Sequence, residues 1–148
     1  MEQHKHLNPP SSDDRLIHQL YQTIRVFTKT LNNSTHDLGI YSSEWFVLNL
    51  VSKHGSLSQS EIVADLHIEP AAVSKTLSKM EKKGLIERSS REDRREKYAA
   101  LTPLAQQLFP NLHEVVSAHR DKALAGISEE ERQQLYKTIR RIFENVQT

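Results

Sequence analysis

The sequence predicts a mainly α-helical fold that carries one small, two-stranded β ribbon. Apolar residues recur at three- and four-residue steps over most of the chain, which is the spacing of a helix face that packs against a core. Between residues 84 and 102, two short segments instead flank a polar, arginine-rich turn, a pattern typical of a hairpin. At 148 residues the chain has the length of one ordinary domain with a single core.

The central segment, residues 58–102, begins with two helices separated by a short turn. Ser58 and Glu61 have the spacing of a capping box, in which each side chain accepts a hydrogen bond from the backbone amide of the other residue. We therefore expect a helix to begin at Ser58. After a turn at residues 67–69, Pro70 suits the first position of a second helix because proline has no amide hydrogen to satisfy.

The second helix of this pair runs to about Lys83 and ends before Gly84, since glycine commonly follows the last residue of a helix. Val73, Leu77 and Met80 form its apolar stripe and should face the core. The other side is polar and basic. Such a helix suits a groove of nucleic acid, because phosphates favour clustered lysines. The residues on this polar side are Ser74, Lys75, Ser78 and Lys79.

A ribbon follows, with residues 85–88 as its first strand and residues 96–101 as its returning strand. The turn between them, residues 89–95, is cationic, and we expect its tip to reach a second groove of DNA. From Lys75 to Lys97 there are nine Lys or Arg and five Asp or Glu, a sum of +4; the whole chain carries +1, which leaves −3 for the rest. The arginines of the turn are Arg91, Arg94 and Arg95.

Two helices are predicted before the central segment. The first begins at Ser11 or Ser12, extends over about twenty residues and weakens at residues 32–34. The second begins at Ser42 or Ser43. The apolar stripe of the first helix consists of Leu16, Leu20, Ile24, Phe27 and Leu31.

Two more helices follow the ribbon. Thr102 and the proline after it suit the cap and first position of one helix, and Pro110 should kink that helix. Ser128 and Glu131 form a second capping box, which opens a last helix that runs to about Val146. The apolar stripes are Leu104, Leu108, Leu112, Val115 and Val116 in the former, and Leu135, Ile139, Ile142, Phe143 and Val146 in the latter.

The central segment needs only one or two further helices to cover its core. The helices at the two ends of the chain are longer and more numerous than that, and they carry apolar faces of their own. The economical explanation is that these ends pair with the ends of a second copy. A twofold dimer would then hold its two recognition helices, one from residues 70–83 of each copy, roughly 34 Å apart, which is one helical turn of DNA.

The composition excludes several classes of protein. The chain has no cysteine, so disulfides, thiol catalysis, thiol redox sensing and sulfur-ligated zinc are all ruled out. The first ten residues are polar and contain two prolines, unlike a secretion signal, and no apolar run is long enough to span a bilayer. We therefore expect a cytoplasmic protein.

Five stretches together resemble the MarR family of bacterial transcriptional regulators: residues 62–66, 73–77, 80–88, 93–95 and 101–102. The resemblance covers the chain from the Trp45 helix onward. It implies a winged-helix homodimer that binds pseudo-palindromic promoter DNA, usually represses, and often releases DNA on binding small aromatic anions. Residues 1–10 would be a disordered arm and residues 11–148 one MarR-type domain, with its DNA-binding lobe at about 42–101 and dimerisation helices at about 11–33 and 103–148.

The resemblance also implies roles for single residues. Ser74 and Lys75 would face the major groove, and Arg95 would enter the minor groove with Asp93 bracing it. The free amides at the helix start near Ser58 would take a phosphate. The full set of DNA contacts implied is Ser58, Gln59, Ser60, Ala71, Ser74, Lys75, Lys79, Arg91, Arg94 and Arg95.

Effector and metal sites have weaker signals. Aromatic and histidine side chains could line a ligand pocket between the dimer helices and the DNA-binding lobe. The chain has eight histidines, but His113 and His119 are six residues apart and so lie on different helix faces. We predict no metal site and no cofactor. The pocket candidates are Tyr21, His36, Tyr41 and Trp45.

Two other classes of function stay open at this point. One is a winged-helix protein-interaction module that does not bind DNA; the basic residues Lys75, Arg94 and Arg95 argue against it. The other is an enzyme, but the chain has no thiol, no phosphate-binding loop and only four glycines. We therefore predict a DNA-binding regulator and not an enzyme.

Overall fold

The computed structural model describes residues 11–90 and 96–147 of the chain. The predicted arm at residues 1–10, the ribbon turn at residues 91–95 and residue 148 lie outside this part. The described residues are mainly helical with one small sheet, which confirms the predicted fold class. In chain order the elements are α1 (Ser12–Thr35), a 3-10 turn (His36–Leu38), α2 (Ser42–His54), β1 (Ser56–Ser58), α3 (Gln59–Leu66), α4 (Pro70–Lys82), β2 (Ile86–Ser90), β3 (Lys97–Leu101), α5 (Pro103–Ala123) and α6 (Glu129–Val146).

The chain forms two compact units, Met1–Val116 and Ser117–Thr148. The core of the first unit is built around α2, whose side chains pack with those of α3, α4 and the sheet. The predicted inner stripe of α4 belongs to this core: Val73 and Leu77 are each 2% exposed and Met80 is fully buried. The other buried apolar residues are Leu31, Ile40, Trp45, Val47, Leu48, Leu50, Val51, Leu57, Ile62, Leu85, Ile86, Ala99, Ala105 and Leu112.

The sheet has three antiparallel strands in the order β1-β3-β2. The predicted two-stranded ribbon is confirmed as β2 and β3, and β1 is a third strand that the sequence did not predict. Strand β1 is only three residues long, and Leu57 lies opposite Ala99 of β3. A strand this short has no periodicity of its own and exists because β3 supplies its hydrogen-bond partners. Strands β2 and β3 pair from Ile86 opposite Leu101 to Ser90 opposite Lys97.

Helix α1 continues through residues 32–34, where the sequence predicted weakening. Polar side chains at its end find partners locally, which offsets their low helix propensity. The Thr35 hydroxyl donates to the Ile40 carbonyl oxygen at 2.6 Å. The Asn32 side-chain oxygen accepts from the Ser42 amide at 2.7 Å, and so satisfies a free amide at the start of α2.

The end of α4 and the start of α5 are joined by one threonine. Gly84 has φ +75, a left-handed conformation, and Leu85 N donates back to the Met80 carbonyl oxygen at 2.9 Å, as in a glycine-terminated helix. The Thr102 hydroxyl donates to the Gly84 carbonyl oxygen at 2.6 Å and accepts from the Ala105 amide at 3.2 Å. Thr102 therefore caps α5, as predicted, and also fixes the turn after α4.

The buried face of α5 matches the prediction at Leu108, Leu112 and Val116 and differs at its first position. Leu104, which was placed on the apolar stripe, is 54% exposed, whereas Ala105 is 2% exposed. Leu112 is fully buried, as predicted. The inward positions run from Ala105 through Leu108, Phe109 and Leu112, so the stripe begins one residue later than Leu104. Pro110 lies inside this helix without ending it.

In the second unit, both halves of the predicted capping box of α6 are present. Ser128 Oγ accepts from the Glu131 amide at 3.1 Å, and a Glu131 carboxylate oxygen accepts from the Ser128 amide at 3.4 Å. Arg132 donates to the carbonyl oxygens of Leu124 and Ile127, each at 2.9 Å, and so holds the turn between α5 and α6. None of the described residues of α6 is buried.

Candidate nucleic-acid interface

The outer face of α4 is open to solvent. Because the opposite stripe of this helix is buried in the core, the rotation of α4 about its own axis is fixed. Ala71, Lys75 and Lys79 are exposed and lie on the outward positions, and Ser74 is half-buried beside them. Pro70 occupies the first helical position, as predicted. The helix therefore presents two ammonium groups and small side chains on an exposed surface that could enter a groove.

The start of α3 differs from the prediction at Ser58. This residue is only 1% exposed, and its hydroxyl accepts from the Glu61 amide at 3.2 Å. Ser58 is also the last residue of β1, opposite Tyr98. The reciprocal bond of the predicted capping box, from the Ser58 amide to the Glu61 carboxylate, is not among the hydrogen bonds of the described residues. Ser58 therefore caps α3 from inside the core and is a poor candidate for contact with a ligand.

Gln59 and Ser60, the next two predicted contacts, are tied to neighbouring elements. The Gln59 side-chain amide donates to the Pro70 carbonyl oxygen at 3.3 Å, which links the start of α3 to the start of α4. The Ser60 hydroxyl donates to the Glu96 carboxylate, just before β3. Both side chains therefore hold the helix pair and the ribbon in one arrangement, and the backbone amides at this helix start are what a phosphate could use.

Arg88 in β2 had no predicted role, and its side chain is 20% exposed. Its Nε lies 3.2 Å from a carboxylate oxygen of Glu81 near the end of α4. Arg88 and Lys97 also line a cleft of about 470 Å³ that includes Gln59 and Ser60. The base of the ribbon therefore carries two cations beside the start of α3.

The cationic turn falls outside the described residues. The predicted roles of Arg91, Arg94 and Arg95 as DNA contacts, and of Asp93 as a brace, stay predictions from the sequence. The strands that lead into and out of this turn are described and are paired up to Ser90 and Lys97.

Comparison with known proteins decides the family. A profile of the MarR family matches residues 40–97, which span α2, α3, α4 and the start of β3. The uncharacterised HTH-type transcriptional regulator YwoH of Bacillus subtilis (strain 168) is 31% identical over 118 residues, which cover 80% of this chain and 86% of that protein. The chain belongs to the MarR family of transcriptional regulators. The resemblance drawn from the sequence motifs is thereby confirmed.

Solved structures of MarR-family and related regulators share the fold. A MarR-family regulator from Listeria monocytogenes, solved in complex with a 26-mer DNA, superposes with a TM-score of 0.80 at 21% identity and covers 88% of this chain and 87% of that one. The organohalide-sensing regulator RdhR-CbdbA1625, in its 2,4-dichlorophenol-bound form, gives a TM-score of 0.86 at 20% identity and covers 99% of this chain and 89% of that one. At these identities the likeness shows the fold alone.

Of the four predicted pocket residues in this MarR-family chain, Tyr41 lines a cleft and Trp45 packs in the core. Trp45 is 6% exposed, and its ring stacks on Phe109 with the ring centroids 5.7 Å apart; its role in a pocket stays a prediction. A tryptophan buried against a neighbouring aromatic ring contributes to the core. Tyr21 is 58% exposed and His36 is also exposed. Tyr41 lines a cleft of about 330 Å³ together with Asn32, Lys75 and Lys79.

Among residues 11–90 and 96–147, no three His, Asp or Glu side chains are grouped so as to hold a metal ion. No helix in the same part of the chain is long and apolar enough to cross a membrane.

The residues that sequence reasoning missed are those whose partners lie far along the chain. Glu96 is 36 residues from Ser60, and the Lys83–Glu44 pair spans 39 residues. No spacing rule connects such positions. Arg88 and Glu81 are closer, but the end of α4 lies between them, so a helix spacing rule would not pair them either.

Proposed function

We propose that this MarR-family regulator is a homodimeric repressor that binds operator DNA and is released by a small aromatic or anionic effector. The observation that carries this proposal is the geometry of α4. One face of the helix is locked into the core by its apolar stripe, and the opposite face presents Lys75 and Lys79 to solvent. A helix held in this way can lie in the major groove with a defined register.

Within this proposal, the residues of α4 divide into two roles. Ser74 and Lys75, near the start of the helix, would reach base edges, and the methyl group of Ala71 would contact thymine. Lys79, one turn later, would contact phosphate. The amides of Gln59 and Ser60 would take a second phosphate at the start of α3.

The ribbon tip completes the proposed contact surface. Arg95 would enter the minor groove, with Asp93 bracing it and Arg91 and Arg94 beside it. Arginine suits this place because a narrow minor groove has an enhanced negative potential. Support for these roles comes from the sequence, and from the Listeria relative having been solved with DNA.

The exposed apolar surface of α1 and α6 supports the dimer. On α1, Ile17 is 48% exposed and Ile24 is 62% exposed; on α6, Leu135 is 47% exposed and Ile139 is 46% exposed. Large apolar side chains repeated along one helix face are rarely left in water. We propose that a second copy covers these two faces, and that the dimer works in the cytoplasm and catalyses no reaction.

The effector part of the proposal is supported by the cleft beside α4. Tyr41 offers an aromatic wall, and Lys75 and Lys79 offer positive charge, in a volume of about 330 Å³ that suits a small molecule. The Glu44 carboxylate also lines this cleft, and its negative charge is offset by the ion pair with Lys83. An anion held there would neutralise the two lysines that the proposal assigns to DNA, so effector and operator would compete. RdhR-CbdbA1625, which shares the fold, has been solved with a chlorinated phenol.

Binding to selected oligonucleotides at several salt concentrations tests the proposed function. We expect selection to return a pseudo-palindromic duplex, with an affinity that falls steeply as salt rises because counterions are released from the phosphates. The competing interpretation, a protein-interaction module without DNA binding, is favoured if no duplex is enriched or if binding is weak at every salt concentration.

A further inference from the structure

A buried carboxylate lies where α2 begins. Glu44, in the first turn of α2, has a side chain that is only 2% exposed. One of its oxygens, Oε1, accepts from the Tyr41 amide at 2.9 Å and from the ammonium group of Lys83 at 2.7 Å. The other oxygen, Oε2, is buried without a hydrogen-bond partner among the described residues. Glu44 therefore joins the start of its own helix to a residue from a different helix.

Lys83 is the capping residue directly after the last residue of α4. Its ammonium group donates to Glu44 and also to the Gly39 carbonyl oxygen at 3.0 Å, and it lies 5.0 Å from the centroid of the Tyr41 ring. All three partners belong to the connection between α1 and α2 or to the first turn of α2. The end of the recognition helix is therefore tied to the connection between the first two helices of the fold.

The tie continues into α1. The Asn32 side-chain oxygen accepts from the Ser42 amide at 2.7 Å, two residues before Glu44. The Thr35 hydroxyl donates to the Ile40 carbonyl oxygen at 2.6 Å on the same connection. Hydrogen bonds thus link α1, through the start of α2, to Lys83 directly after α4.

Stability alone is a weak explanation for this arrangement. Burying the Glu44 carboxylate costs solvation free energy, whereas the Lys83 side chain is 35% exposed, so its charge is screened by water and the net gain from the pair is small. A pair with directed hydrogen bonds does, however, hold its partners at one distance and angle. Oε2 has no partner among the described residues, which is a further cost that a purely stabilising pair would avoid.

We propose that Glu44 and Lys83 are positioning residues that fix the recognition helix relative to α1 and thereby set the half-site spacing that the dimer accepts. This proposal rests on the proposed function, in which α1 contributes to the dimer and α4 enters the major groove. Because the two copies of α4 must fit successive major grooves, a small change in the angle between α1 and α4 changes the distance between the two recognition helices.

The test measures tolerance to spacing. The selected operator is compared with two versions in which one base pair is inserted or removed between the half-sites. The central variant is the double substitution Glu44→Gln and Lys83→Met, which removes both charges and leaves no unpaired buried ion. Lys82→Met is the matched control, because Lys82 is exposed and its loss also removes one positive charge beside the same helix end.

We expect the wild-type protein to prefer the selected spacing strongly and the double variant to lose that preference by about fivefold or more, a typical size for coupling between sites. Glu44→Gln alone should keep most of the preference, since its amide oxygen can still accept from Lys83 and from the Tyr41 amide. Lys82→Met should weaken binding to all three duplexes equally. The midpoint of thermal unfolding and the dimer mass of each variant are measured alongside.

Two outcomes would overturn the proposal. If the double variant loses affinity equally on all three duplexes, as Lys82→Met should, the pair has no role in spacing. If the double variant keeps the wild-type preference, the recognition helix is positioned by other contacts. Failure of the proposed function is distinguishable from both, because the wild-type protein would then bind none of the duplexes.

Discussion

At the scale of single residues, Lys75 and Arg95 carry most of the proposed recognition. Lys75 is exposed on the outward face of α4, where its ammonium group can reach the edge of a base. Arg95 belongs to the cationic turn, outside the described residues. In the proposed complex the two residues enter different grooves, so we expect their substitution to have different consequences.

Lys75→Ala should weaken binding to the selected operator by about 1–3 kcal/mol and relax the base preference at one position, because a direct contact to a base edge is lost. Titration against the operator and its single-base variants measures both effects. Lys53→Ala is the control, since Lys53 is an exposed lysine in the last turn of α2. An equal loss of affinity for every DNA sequence would show that Lys75 contacts only phosphate.

Arg95→Ala should weaken operator binding by about 1–3 kcal/mol and leave the helical circular dichroism signal unchanged, because its proposed contact is made only with DNA. The loss should be largest on operators with a narrow, AT-rich minor groove. Unchanged affinity would remove the ribbon tip from the proposed contact surface.

Single residues also show where sequence reasoning succeeds. Pro70, Gly84, Thr102 and Ser128 were all assigned correctly as helix starts or stops, because each acts on backbone groups within four residues of itself. Ser58 was assigned a capping role correctly, but its burial depends on the pairing of β1 with β3 and could not be foreseen from spacing.

At the scale of elements, the junction between α4 and α5 is the most tightly specified part of the described chain. Gly84 supplies a left-handed turn, and Thr102 bonds to the carbonyl oxygen of that same glycine. Both features can be tested by stability measurements at one fixed protein concentration, which matters for a protein expected to be a dimer.

Gly84→Ala should lower the free energy of unfolding by about 1–2 kcal/mol, since a residue with a Cβ is strained in a left-handed conformation. The added Cβ would meet only a methyl group of Leu104 at 3.7 Å, an ordinary contact, so the cost comes from the backbone. Urea unfolding measures the loss. Gly84→Asn is the control and should cost less, because asparagine tolerates this conformation better. If both variants lost the same free energy of unfolding, the cause would be steric crowding around the added side chain and not backbone strain.

Thr102→Val should lower the free energy of unfolding by about 1–2 kcal/mol, because the partly buried carbonyl oxygen of Gly84 and the Ala105 amide each lose a partner while the side-chain volume is kept. Thr102→Ser retains the hydroxyl group, so its free energy of unfolding should be closer to that of the wild type. Thermal unfolding followed by circular dichroism compares the three proteins. A valine variant as stable as the wild type would mean that water replaces the hydroxyl.

The elements that the sequence did not predict correctly share one cause. Strand β1 depends on a partner strand some 40 residues away, since Leu57 lies opposite Ala99. At the start of α5 the buried position is Ala105 and not Leu104, and which of two adjacent apolar residues faces the core depends on how the helix packs. Both features depend on tertiary packing, and a local sequence pattern gives no information about such packing.

At the scale of the whole molecule, the apolar faces of α1 and α6 require a partner surface. No described residue of α6 is buried, although the helix carries Leu135, Ile139 and Phe143 at helical spacing. Most of a surface helix's stability comes from packing its apolar face. A second copy would provide that packing.

Ile139→Glu should therefore weaken self-association by at least about 2 kcal/mol, because a charged carboxylate would have to be buried at the dimer interface. Sedimentation velocity at several protein concentrations measures the change. Gln134→Glu is the matched control, since it adds the same charge to α6 away from the apolar stripe. If the Ile139→Glu variant associates as strongly as the wild type, the dimer interface does not include this face of α6.

The stacking of Trp45 on Phe109 also gives the protein an optical reporter of its own. Trp45 is the only tryptophan in the chain, so its fluorescence emission comes from one place, the contact between α2 and α5. Its neighbour along the chain is Glu44, the carboxylate that holds the end of α4. A shift in emission wavelength on adding operator or effector would therefore report movement at this junction without any attached dye.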